Sequence, residues 1–185
     1  MPVTESVTSA ASFLSIRKYI ETTYGSGSFR LVRDQVAEAH PEFPRVLSPG
    51  ATYPTRWLFA TIDAARAIYG PDDFYERCGR AIVDYEVNVL FRFALKLSSP
   101  NWLFDKATEA WRKAHSTGVW HMSGRPGTLT ARLHDFVTTD SYCRLLRAYF
   151  VRLISLSGAS NVSVEHPTCT ARGDRECTFT ALWRV

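Results

Sequence analysis

The sequence predicts an α+β fold in which an N-terminal helical half packs on an antiparallel four-stranded sheet, the sheet being two hairpins joined by a helix. Three observations carry this reading. Apolar residues recur at helical spacing through the first part of the chain. Strand-like alternation flanks two Gly-containing turns beyond Gly118, and one amphipathic segment lies between those turns. With 185 residues, 45% hydrophobic and 22% charged, the chain suits one domain over 1–185. Residues 1–115 form its helical part and 116–185 its hairpin–helix–hairpin part.

Phe13, Ile16, Tyr19 and Ile20 share one face of a first helix that Gly25 stops. Leu31, Val32 and Val36 continue the pattern to His40-Pro41. Pro41, Pro44, Pro49 and Pro54 then exclude helix from the connection that follows. Thr55 is placed to cap a helix carrying Trp57, Leu58, Ile62, Ala65 and Ile68, ended by Gly70-Pro71. Asp72 or Asp73 opens the longest helical pattern, through Cys78, Ile82, Val83, Val87 and Leu90 to about Leu97. Its apolar residues cover most of the circumference, so this helix is expected at the centre. After Ser99-Pro100, a helix from Asn101 to Ala114 carries Trp102, Leu103, Ala107 and Trp111 on one side.

Val119 to Met122 and Leu129 to Val137 read as strands around a five-residue connection, Ser123 to Gly127. Thr139 or Asp140 caps a helix from Ser141 to Ser157, whose inner stripe holds Leu145, Leu146, Tyr149, Phe150, Leu153 and Ile154, and Gly158 ends it. Asn161 to Ala171 and Glu176 to Trp183 form the second hairpin about Arg172-Gly173-Asp174-Arg175. Two hairpins separated by a helix make one antiparallel sheet with that helix across a face.

Composition and motifs exclude several classes of function. The net charge of +4 is scattered among acids, with no basic stripe for nucleic acid. No apolar stretch is long enough to cross a bilayer, and no basic start followed by an apolar stretch marks secretion; a cytoplasmic chain is expected. Its four Cys then read as thiols or metal ligands rather than disulfides. The chain lacks Gly-x-Ser-x-Gly, His-Glu-x-x-His, a Walker loop and a dinucleotide fingerprint. His134 and Asp135 alternate on a strand and point apart. No enzyme is expected.

Aromatics, at 13%, are the unusual class. Phe91, Phe93, Trp102, Trp111, Trp120 and Tyr149 lie on elements bordering the layer between helices and sheet, and His121 beside Trp120 offers one orienting hydrogen bond. These seven are the candidate ligand-binding residues of an apolar pocket, for a small apolar or aromatic ligand. The reading is a sensory or regulatory domain that passes its signal to a downstream protein. Apolar stripes on the N-terminal helices suggest a homodimer. The alternative is an interaction or dimerisation module whose pocket is filled.

Cys143, Glu165, Cys169 and Cys177 form the candidate metal set. Cys169 and Cys177 flank the Gly173-Asp174 turn, Cys143 lies in the first turn of the preceding helix, and Glu165 shares a face with Cys169 on a regular strand. Four such ligands suit a closed tetrahedral zinc. Equally, the hairpin Cys read as small apolar residues of a buried sheet.

Cys143, the helix to Gly158, Glu165 and Cys169-Thr-Ala-Arg-Gly-Asp-Arg-Glu-Cys177 resemble the end of four-vinyl-reductase-type small-molecule-binding domains. In related sensors of aromatic compounds, a Cys at the helix start, a Glu and two hairpin Cys hold a structural zinc, which implies that role for the set here. Glu165 precedes Cys169 by four residues where those sensors have three, which makes His166 a substitute ligand. Over the full length, Tyr53-Pro54, Ser99 to Trp102 and Gly173 to Trp183 are most similar to an uncharacterised myxobacterial branch of this group. The architecture also resembles haem-based nitric-oxide sensors. Those hold the haem propionates with Tyr-x-Ser-x-Arg, whereas this chain has Leu129-Thr-Ala-Arg-Leu-His134 in that region. His115 or His121 would be the iron ligand of a haem gas sensor; the missing motif argues against haem.

Overall fold

Helical periodicity in the first half resolves into five helices among the described residues of a computed structural model, which are 5–70, 72–87 and 100–184, with 100–104 described as backbone. Helix α1 (Ala10–Tyr24) starts where Ser9 Oγ accepts from the Ala11 N–H at 3.3 Å, and it buries Phe13, Ile16, Tyr19 and Ile20. Helix α2 (Phe29–Ala39) buries Phe29, Val32 and Val36. Both helices pack inside the chain against α3 (Thr55–Tyr69), and α1 also against α4 (Phe74–Glu86). Helix α5 (Pro100–Ala114) completes the half. The predicted extension of α4 to Leu97 lies outside the described residues.

Two expectations for this half are corrected. Val7–Ser9 (β1) pairs antiparallel with Thr52–Pro54 (β2), a ribbon inside the part read as helical. Three residues are too few to show a period, so the pairing has no local signal. Nor does Thr55 cap α3. It is the first helical residue, and its hydroxyl bonds those of Ser6 and Thr8 at 2.8 and 2.9 Å.

The second half folds in the predicted order. Strands β3 (Val119–Arg125) and β4 (Thr128–His134) form the first hairpin, α6 (Asp140–Leu156) crosses, and β5 (Ser160–Thr168) and β6 (Cys177–Arg184) form the second. The hairpins join through β4 and β6, giving one sheet in the order β3-β4-β6-β5. The first connection is tighter than the five residues expected: Arg125 already pairs with Thr128, leaving Pro126-Gly127 as the turn. Gly124 permits this, because a Cβ there would lie 2.4 Å from the Thr128 carbonyl oxygen.

Strand alternation decides what faces inward. Trp120, Leu129, Ala131, Leu133, Val164, Phe179 and Ala181 are buried, and α6 packs over this face while its other flank meets α4. Gly79 sets the helix spacing: a Cβ would fall 2.3 Å from the Leu145 carbonyl oxygen. Glu76 bonds Arg144 and Arg147 at 3.1 and 3.4 Å, and Asp84 bonds Arg152 at 2.7 Å, along the same interface. No helix among the described residues is long and apolar enough to cross a membrane.

A candidate ligand cavity and a thiol cluster

A cavity of about 350 Å³ opens between the helical half, β3 and α6. Its size lies toward the lower end of the roughly 300–1,000 Å³ usual for small-molecule sites. Helix α6 contributes Tyr142, Leu145, Leu146, Tyr149, Phe150 and Leu153, the positions that helical spacing puts on one face. Ile16, Leu58, Ile62 and Ile82 form apolar wall from α1, α3 and α4. Ala107, Ala110 and Trp111 come from α5, and Trp120 and Met122 from β3. The indole planes of Trp111 and Trp120 meet nearly edge to face at 5.4 Å, and Phe150 closes on Trp120 at 5.5 Å.

Of the candidate ligand-binding residues, the structure brings together Trp111, Trp120 and Tyr149. Phe91 and Phe93 lie outside the described residues, as does the side chain of Trp102. His121 is corrected. Trp120 faces in, so its neighbour faces out, and His121 stands exposed against His134 with ring centroids 5.0 Å apart.

The imidazole that lines the cavity is His115, just beyond α5. Its Nδ1 lies 2.9 Å from Thr8 Oγ1 and its Nε2 3.2 Å from the Tyr142 hydroxyl. Burial pushes His115 down to about 4, so the ring is neutral near pH 7. The β1–β2 ribbon, which the sequence hid, is what delivers Thr8. At the rim, Glu86 accepts from Ser15 Oγ at 3.1 Å and from the Tyr149 hydroxyl at 3.3 Å. The protein packed around Glu86 raises its carboxyl above the usual carboxylate range.

A second cluster lies where α6 meets the final hairpin. The sulfurs of Cys143, Cys169 and Cys177 are 3.6, 3.8 and 3.9 Å apart, and all three residues are buried and free of disulfides. With His166 they form a group whose ligand atoms all lie within 4.8 Å of one another. The expected fourth member, Glu165, is exposed and outside the group. A register shift between Glu165 and Thr168 breaks the regular alternation that put Glu165 on the face of Cys169, while His166, two residues on from buried Val164, lies against Phe179 at 4.3 Å. Nε2 of His166 is buried without a hydrogen-bond partner. Hydrogen bonds from the Cys143 thiol and from Thr170 outweigh burial and hold the Cys177 thiol well below its usual range, while the same bond to Cys177 pushes Cys143 up.

The arrangement fits a tetrahedral ion. Zinc–sulfur bonds of about 2.3 Å put tetrahedral sulfurs ~3.8 Å apart. The Thr170 N–H and hydroxyl, 3.3 and 3.4 Å from Cys177 Sγ, supply outer hydrogen bonds of the kind that orient thiolate ligands.

No protein-family profile matches the sequence, and no curated protein matches it. Solved structures do match, along nearly the whole chain. An H-NOX protein from S. oneidensis in the Fe(II)NO state is 15% identical with a TM-score of 0.64, covering 96% of this chain and 99% of its own. Unliganded Fe(II) H-NOX from K. algicida is 10% identical with a TM-score of 0.66, covering 96% and 97%. An oxygen-binding H-NOX domain related to soluble guanylate cyclases, in its oxygen complex, is 12% identical with a TM-score of 0.61, covering 96% and 95%. These neighbours overturn the expectation that sets haem aside, because proteins described in Fe(II), NO-bound and oxygen-bound states share this architecture. At the cavity wall His115 is neutral, with Thr8 on one ring nitrogen and Tyr142 on the other. From helices to final hairpin, this chain has the H-NOX fold.

Proposed function

We propose that this chain is a sensory domain that binds a small molecule in the cavity between its helical half, β3 and α6, and that it catalyses no reaction. The cavity itself carries the reading: aromatic side chains stand around an open space in a fold shared with H-NOX proteins. That space speaks against an interaction module with a filled pocket.

Haem is the more specific form of this reading, favoured by the fold and by His115 at the cavity wall. Protein expressed with haem supplementation is expected to show a Soret band that His115→Ala abolishes. No band in the supplemented wild type excludes haem and leaves an organic ligand, sought as a thermal shift across aromatic and lipid-like compounds. If nothing shifts the melting temperature, the binding reading is overturned.

A structural zinc on Cys143, His166, Cys169 and Cys177 belongs to the same proposal, supported by the sulfur spacing and by the resemblance to four-vinyl-reductase-type domains and their myxobacterial branch. It would tie α6 to the last hairpin and so fix one wall of the cavity. Elemental analysis should find about one zinc per chain. Less than about a tenth of an equivalent, or an unchanged melting temperature in the Cys169→Ser/Cys177→Ser double variant, would remove it. Homodimerisation and a downstream protein partner complete the reading; native mass spectrometry reports the dimer.

A further inference from the structure

The polar groups of the cavity stand at two positions along one helix face. Tyr142 and Tyr149 both line it from α6, two turns and about 10 Å apart along the axis, with Leu145 and Leu146 between them. Each hydroxyl already holds one partner.

The Tyr142 end can be read proton by proton. Thr8 Oγ1 lies 2.9 Å from Thr55 Oγ1 and 2.9 Å from His115 Nδ1, so it can donate to the first and accept from the second. Nδ1 then carries the ring proton, and Nε2 is left as an acceptor for the Tyr142 O–H at 3.2 Å. This tautomer satisfies the Tyr142 proton within the protein, whereas the opposite one would turn that proton into the cavity. What Tyr142 still offers the cavity is oxygen lone pairs. At the other end, Glu86 takes one donor on each carboxylate oxygen, from Ser15 and Tyr149, and a carboxylate has room for more. Lys106, also on the wall, is turned onto Glu109 at 2.8 Å. Both ends therefore present acceptors, and the wall between them is hydrocarbon.

We infer that the cavity selects an elongated molecule that donates a hydrogen bond at each end of an apolar middle: a hydroxyl or N–H toward Tyr142 and an amine toward Glu86. An ammonium there also compensates the desolvation that raises the Glu86 carboxyl. This rests on the haem-free form of the proposed function. It goes further by stating the ligand's chemistry.

Calorimetric titration with four related compounds tests it. Tyramine carries a phenol and an ammonium at opposite ends, 4-ethylphenol keeps only the phenol, phenethylamine only the ammonium, and ethylbenzene neither. Tyramine should bind at least about tenfold more tightly than either one-ended compound. Glu86→Gln should erase its advantage over 4-ethylphenol, and the near-isosteric Tyr142→Phe its advantage over phenethylamine, each in protein whose circular dichroism melt stays cooperative. One-ended compounds binding as tightly as tyramine, or ethylbenzene binding best, would overturn the two-ended selection and leave the cavity reading intact. If none of the four binds while other apolar compounds stabilise the protein, the selection falls alone. Should no compound of any class bind, the cavity reading falls with it.

Discussion

His115 shows how much one side chain draws from its surroundings. In sequence it is a lone His at the end of a helix. In the fold its ring lies 4.0 Å from Trp111, is bonded on both sides, and is held neutral with a value of about 4 against its usual 6.5. The unfolded chain therefore takes up a proton first as pH falls, and the folded state loses stability between about pH 6.5 and 4. From pH 7 to 5 that loss is about 2 kcal/mol, read as a fall in melting temperature that His115→Gln should flatten. The thiol cluster makes a second prediction at this scale. Glu165→Gln should retain zinc and His166→Gln should lose most of it, measured by metal content after chelator challenge; the reverse order would return Glu165 to the ligand set. The chain offered both residues only as alternatives, His115 beside His121 and His166 beside Glu165. His121 drew attention by standing next to Trp120, yet adjacency along a strand puts two side chains on opposite faces. Glu165 was placed by regular alternation, and a single register shift between Glu165 and Thr168 undid it.

At the scale of elements, the contact between α4 and α6 is the most exacting feature. Gly79 lets the helices approach until the Leu145 carbonyl lies where a Cβ would stand. Ala favours helix by about 1 kcal/mol over Gly, but a 2.3 Å contact with backbone cannot be relieved by a rotamer. Gly79→Ala should therefore destabilise by at least about 1 kcal/mol, and Gly79→Val by more, in chemical denaturation. Since α6 carries both cavity tyrosines and Cys143, the same variants should weaken ligand and zinc together. The helices themselves were legible, because each repeats its apolar residues over several turns. The β1–β2 ribbon was not, since it depends on which distant backbone comes alongside, and the tight first turn was missed although Gly124 and Gly127 set it locally.

For the whole molecule, the question is whether the interior space is used. Ala107 lines it from α5, so Ala107→Phe should fill part of the cavity, abolish ligand-induced thermal shifts and keep the far-ultraviolet circular dichroism of the wild type. A variant that still shifts would place the ligand elsewhere. The sequence by itself determined the order of helices and hairpins, the four-stranded antiparallel sheet and the gathering of Cys143, Cys169 and Cys177 near the last turn. Period and turn chemistry are local, and they survive in a string of letters. Only the tertiary structure decided that a cavity remains between the layers, that His115 and not His121 faces it, that Glu86 stands at its rim and that His166 joins the sulfurs. Those outcomes depend on register, bulges and the closeness of two helices, which are set when segments far apart in the chain pack, and no stretch of residues encodes them alone.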